Sequence, residues 1–150
     1  MDNLFEKDGF NTVISRLNQI ELETKPQWGS MNSAQMLAHL NVMFEKTYES
    51  GFNKPKGLMK LVMKLLIKPG VVGKKAYKRN SRTAPEFLIA DSREFEIEKN
   101  RLIAFLEQTN QLGTSHFEGR EYVSFGPLSQ EEWNTMFVKH IDHHFKQFGV

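Results

Sequence analysis

The sequence predicts an all-α fold, an antiparallel four-helix bundle with a long crossover that contains an additional short helix. Three observations lead there: four segments carry apolar residues at helical spacing, several open on capping-box patterns, and no alternating strand pattern competes with them. A chain of 150 residues without cysteine is expected to form one domain with a sizeable core and no disulfides.

The first helix is expected over about residues 10–20, where Phe10, Val13, Leu17 and Ile20 share one face. A turn-like stretch, TKPQWGS, follows. Asn32 with Gln35 three residues later marks the start of a second helix, whose stripe of Met36, Leu37, Leu40, Met43 and Phe44 runs toward Gly51.

GLMKLVMKLLIKPG is an almost continuous apolar run interrupted by Lys60 and Lys64, with Lys56 and Lys68 extending the spacing of four. It predicts a short basic amphipathic helix ending at Pro69-Gly70, packed on the domain with its lysines in water. Contact with a partner or a membrane surface is the alternative. About ten residues are too few to cross a bilayer, which takes roughly 20. Residues 71–90 are expected to be connection.

Asp91 and Glu94 suggest another capping box, and Phe95, Leu102, Phe105 and Leu106 give a third long helix its stripe, to about Gln111. Residues 112–128 are polar and contain glycine, with EYVSF a candidate extended segment. Ser129 and Glu132 form the clearest capping box, opening a last helix over about 130–148, with Gly149 suited to its C-terminal end.

Twenty Lys and Arg against 18 Asp and Glu give a formal charge of +2. Read as a balance with no long single-sign block, this argues against nucleic-acid binding. The absence of cysteine removes thiolate ligands and a cysteine nucleophile, leaving histidine, carboxylate and water to hold any transition metal. MDNLFEKDGF lacks the basic and apolar regions of a secretory signal, so a cytoplasmic location is the expectation.

Three of the five histidines fall within KHIDHHFKQFGV. With Trp133, Phe137, Ile141 and Phe148 defining the apolar side of the last helix, His140 and His144 lie near its middle, one turn apart. His143 lies toward its margin and Asp142 nearly opposite. An i,i+4 pair can offer two imidazoles to one ion. His39, between Met36 and Met43 on the core side of the second helix, adds a third. Three core-directed imidazoles need partners, and one divalent metal satisfies all of them while leaving positions open. Each also has a plainer reading as a half-buried ring satisfied by a backbone carbonyl.

His116, His143 and Glu98 are the candidate proton-transfer or substrate-contacting groups. The competing readings are a loop-fixing histidine, a neighbour of the ligand pair and a surface acid. Trp28 and Trp133 are expected to pack, while Arg120 and Tyr122 are candidate polar contacts.

PQWGSMNSAQMLAHL together with GPLSQEEWNTMFVKHIDHHFKQFGV resembles the DUF1569 branch of the DinB/YfiT-like metalloenzyme superfamily across most of the chain. The carriers are Trp28-Gly29, Met31, Gln35-Met36-Leu37 and His39 with Glu132-Trp133, His140 and the HHFKQFG ending. The resemblance implies a four-helix bundle binding a metal through one histidine of the second helix and two of the fourth. These match His39, His140 and His144, with His143 a recurrent neighbour. It further implies zinc or nickel and, from the wider superfamily, chemistry that uses a low-molecular-weight thiol as cosubstrate.

Two function classes follow. One is a divalent-metal-dependent enzyme that activates water or a thiol against a small electrophilic substrate, as a thiol transferase or a hydrolase. The other is a non-enzymatic binding or structural protein whose metal ties helices together. A homodimer is compatible with either, and no partner is required if the bundle buries the Leu58 to Ile67 segment.

Overall fold

The computed structural model describes residues 2–150. It is mostly helical. Four longer helices, α1 (Lys7–Asn18), α2 (Ser33–Tyr48), α5 (Phe95–Phe117) and α6 (Gln130–Gln147), supply most of the core. Between α2 and α5 lies a crossover made of α3 (Gly57–Val62), a π-helical turn at Met63–Ile67, α4 (Lys68–Val72) and a 3-10 turn at Pro85–Phe87. Strands β1 (Glu121–Tyr122) and β2 (Gly126–Pro127) form an antiparallel hairpin, the sole sheet among the described residues.

Both strong helix starts form as expected. Asn32 accepts from Gln35 N and Ser129 from Glu132 N, each with the reciprocal side-chain bond, so two orphan N–H groups are satisfied at each end. The box at Asp91 does not form. The carboxylate of Asp91 pairs with Arg93 instead, and α5 begins four residues later, after Glu94. At its other end α5 continues past Gln111, but Gly113 has φ +66° and breaks the helical path. The expected end near Gln111 therefore marks a real interruption, and residues 114–117 form a further turn beyond it.

The core is centred on an aromatic stack. Phe44 of α2 lies between Phe105 of α5 and Phe137 of α6, at ring separations of 5.6 and 5.0 Å, and Phe117 meets Trp133 at 5.3 Å. Each such side chain removes a large apolar area from water, and the geometry of the pairs fixes how the three helices face one another. Residues ahead of α1 are tied down as well. Leu4, fully buried, donates its N–H to Asn134 and accepts from Asn110, joining the N-terminal segment to α5 and α6.

The crossover departs from expectation in three ways. It does not stop at Pro69-Gly70. The π turn shifts the hydrogen-bond register, with Lys68 N reaching Met63 O, and the helical path continues through Pro69 in the first turn of α4. Nor does the segment bury its apolar residues, since none in α3, the π turn or α4 is buried. Thirdly, the near-neutral total conceals a single-sign block: residues 50–85 hold ten of the 20 Lys and Arg and no Asp or Glu. The rest of the chain has ten basic residues against 18 acidic ones.

Lys139 anchors this crossover to α6. Its buried ammonium donates to the carbonyls of Gly70 and Gly73 at 2.7 and 2.5 Å and lies over the Tyr77 ring. These carbonyls are among the acceptors that the end of a helix leaves without intrahelical partners. Burial lowers the Lys139 pKa from its ordinary value.

Candidate metal centre

Three imidazoles from two helices converge. His39 projects from α2, and His140 and His144 from successive turns of α6. The ring centroids are 4.9 Å apart for His39 and His140, 4.5 Å for His39 and His144, and 5.0 Å for His140 and His144. One nitrogen from each ring can be chosen so that all three lie within 4.8 Å of one another. Nitrogens bound at about 2.0–2.1 Å to one tetrahedral ion would be roughly 3.4 Å apart, which this cluster brackets.

The tautomers follow from the partners. His39 Nδ1 lies 2.8 Å from the Phe87 carbonyl, which can only accept, so Nδ1 carries the proton and Nε2 keeps its lone pair. At His144 the same conclusion takes one more step. Gln147 Nε2 donates to Trp28 O at 2.6 Å, fixing the amide orientation, so Oε1 faces His144 Nδ1 at 2.7 Å and accepts from it. His144 Nε2 is therefore also a free acceptor. His39 Nε2 sits 2.9 Å from His140 Nε2. Two lone pairs at that distance repel, so the pair requires a shared proton or a shared cation. Two rings held with Nε2 unprotonated beside a third are a donor set that fits a borderline divalent ion.

Electrostatics favour the neutral, ligand-competent form. Burial lowers the pKa of all three, opposed at His39 by the Phe87 carbonyl and at His144 by Gln147. His144 falls to about 3. His140 falls well below its ordinary value, through burial first and then the neighbouring imidazoles.

The supporting groups come from distant segments. The 3-10 turn carrying Phe87 is held to α2 by the Lys46–Glu86 ion pair at 2.6 Å, with Lys46 also over the Phe87 ring. Gln147 lies three residues after His144, and its backbone carbonyl accepts from Gln27 N at 2.7 Å. Gly29 makes the approach of this loop possible. Its φ is +81°, and a Cβ there would stand 2.6 Å from Gln147 Nε2.

A cavity of about 800 Å³ opens beside the triad. Met43, Met63, Ile67, Val71, Phe125 and Met136 give it apolar walls, and Tyr77, Tyr122, Arg82 and the Lys46–Glu86 pair supply polar groups. His140 is half-buried where it meets this space.

The three remaining candidates are dispersed. His143 lines the cavity, half-buried, with its ring 5.9 Å from Trp28 and 5.7 Å from Tyr77, and burial lowers its pKa. Glu98 is buried in α5, where Asn41, Arg101 and Arg93 bind its carboxylate, and it does not line the cavity. His116 is exposed on the last turn of α5, in contact with Arg120 and likewise outside the cavity lining. Of the candidate polar contacts, Tyr122 reaches the cavity. Arg120 instead donates to Thr47 O.

A protein family described as being of unknown function, DUF1569, matches residues 5–149. The chain belongs to the DUF1569 family. Comparison with curated proteins and with solved structures gives no match. In this DUF1569 protein two site residues were missed by the sequence reading. Gln147 carried a usable signal, a side chain able to reach His144 from one turn away. Phe87 carried none, because its contribution is a backbone carbonyl.

Proposed function

We propose that the protein is a divalent-metal-dependent enzyme acting on a small electrophilic substrate with an apolar body, built on the antiparallel four-helix bundle of the DinB/YfiT-like type. The observation that carries this reading is a histidine triad, two of whose rings are held with Nε2 unprotonated, beside an apolar cavity. His39, His140 and His144 would hold the ion, zinc or nickel by donor type. A metal there supplies Lewis acidity that lowers the pKa of water or of a low-molecular-weight thiol.

The chain's own residues do the rest. Phe87 O and Gln147 hold two imidazoles in the tautomer that presents Nε2. The methionines and aliphatic residues of the cavity bind the apolar part of the substrate and displace water. His143, neutral because burial lowers its pKa, takes up and returns a proton at a ring nitrogen. The thiol transferase and the hydrolase both fit this assignment of roles.

Metal analysis of natively purified protein, beside a His39→Ala/His140→Ala/His144→Ala variant, tests the premise. About one equivalent of metal in the wild type and none in the variant is expected; equal contents would end the proposal. A panel of thiols and electrophilic esters or halides, with His140→Ala as control, then tests turnover.

A second reading is a structural metal that ties α2 to α6 without catalysis. It is favoured by the lining among the described residues, whose one carboxylate, Glu86, is engaged by Lys46. Metal-dependent melting with no turnover across the panel is its signature.

A further inference from the structure

We infer that the crossover segment 57–72 is a docking surface for an anionic lipid bilayer, on which the protein lies peripherally. The segment sits on the outside of the molecule, with none of its residues buried. Leu58 and Leu66 are 77% and 72% exposed, and Met59, Leu61 and Leu65 each keep more than half their surface in water. Five large aliphatic side chains within nine residues form a continuous apolar exposure of the kind that marks a contact surface.

Cations surround this patch. Lys56, Lys60 and Lys64, interleaved with the patch along the segment, are exposed and make no ion pair among the described residues. Two others brace the segment: Lys68 pairs with Glu132 at 2.9 Å and Lys74 with Glu131 at 3.1 Å, tying it to α6. No acid lies between residues 50 and 85; Glu121 of the hairpin pairs with Lys54 at 2.8 Å and also feels the charge of Lys60, leaving the cations in excess along the segment.

Aliphatic side chains interleaved with lysines match a bilayer interface, where acyl chains take the first and anionic headgroups the second. The other occupants fit less well. A nucleic acid would pair the lysines but leave the leucines facing phosphate and water. A second copy would cover the leucines through a two-fold contact but set two lysine rows against each other. Spanning is excluded by length: 16 helical residues reach about 24 Å, against roughly 30 Å of hydrocarbon, and no described helix is long and apolar enough to cross. Met63, Ile67 and Val71 of the same segment line the cavity, so a docked segment would have lipid on one side and the candidate centre on the other.

The test is co-sedimentation of the full chain with vesicles of phosphatidylcholine alone and of phosphatidylcholine mixed with phosphatidylglycerol. Binding is expected on the mixed vesicles only, weakening as salt rises. Lys60→Gln/Lys64→Gln should weaken it about fivefold per lysine. Leu58→Ser/Leu65→Ser/Leu66→Ser should abolish it, and circular dichroism should show both variants folded, since they alter exposed side chains alone. Absence of binding to the mixed vesicles would overturn the inference. So would full retention by the leucine variant, or tighter binding to duplex DNA that the leucine variant keeps. A wild-type dimer that the leucine variant splits, without vesicle binding, would assign the face to a second copy.

Discussion

At the scale of single residues, the candidate site depends on groups outside the triad. Gln147 orients His144 and is itself oriented by Trp28 O. Gln147→Leu should therefore keep the fold and weaken metal affinity by about 10- to 100-fold, the usual cost of losing such a support; competition against a chromophoric chelator measures it. The triad also sets a pH dependence. A histidine whose folded pKa lies below its unfolded value binds fewer protons in the native state, so stability is complete above pH 6.5 and falls as pH drops toward the folded pKa. With His144 lowered from 6.5 to about 3, the metal-free protein should lose about 2 kcal/mol between pH 7.5 and pH 5 through this group. Urea melts at the two pH values check it, and His144→Gln should lessen the slope, with the part that His39 and His140 contribute remaining. Helical phase placed His39, His140 and His144 on the core sides of two helices, because i+3 and i+4 spacings fix a face, while the family resemblance joined them into one set. Phase could not tell that Glu98 is buried and satisfied by two arginines and an asparagine: the i+3 spacing suggests Arg101, but Arg93 reaches it from the segment ahead of α5 and Asn41 from α2 across the core.

At the scale of elements, local chemistry decided what could be read. The boxes at Asn32 and Ser129 formed with both reciprocal bonds, the one at Ser129 alongside the Lys68 ion pair of Glu132. That at Asp91 did not form: the N-cap of α5 is Glu94, three residues on, and the Asp91 carboxylate pairs with Arg93. Ser129→Ala should cost about 1 kcal/mol, seen as a lower urea midpoint with an unchanged slope, whereas Asp91→Ala should cost much less. Lys139 acts between elements, holding the end of α4 against α6. Lys139→Met would leave the Gly70 and Gly73 carbonyls without this donor, and hydrogen exchange should quicken in residues 68–73 while α2 stays protected. The π turn had no sequence signature, and it is what let the helix pass the Pro-Gly pair.

For the molecule as a whole, helical content, the order of the long helices and much of the core were legible, because apolar periodicity survives in all four. Charge was misread by being summed. The total of +2 is the difference between a crossover with ten cations and no anion and a remainder in which 18 acids outnumber ten bases. Bound metal should couple to global stability. An ion that binds the folded state alone, at a free concentration 100 times its dissociation constant, adds about 2.7 kcal/mol. Thermal melts with and without a chelator should differ accordingly, and the triple alanine variant should show no difference.

The separation of His39 from His140 by 101 positions in the chain gives the crossover a further meaning. Cleavage in the exposed stretch around Asn53 and Lys54 would place one ligand on the first fragment and two on the second. The site would then be a bimolecular product, and its metal affinity would depend on fragment concentration. Metal uptake by the mixed halves, absent from either alone, would make this chain a split reporter of its own reassembly.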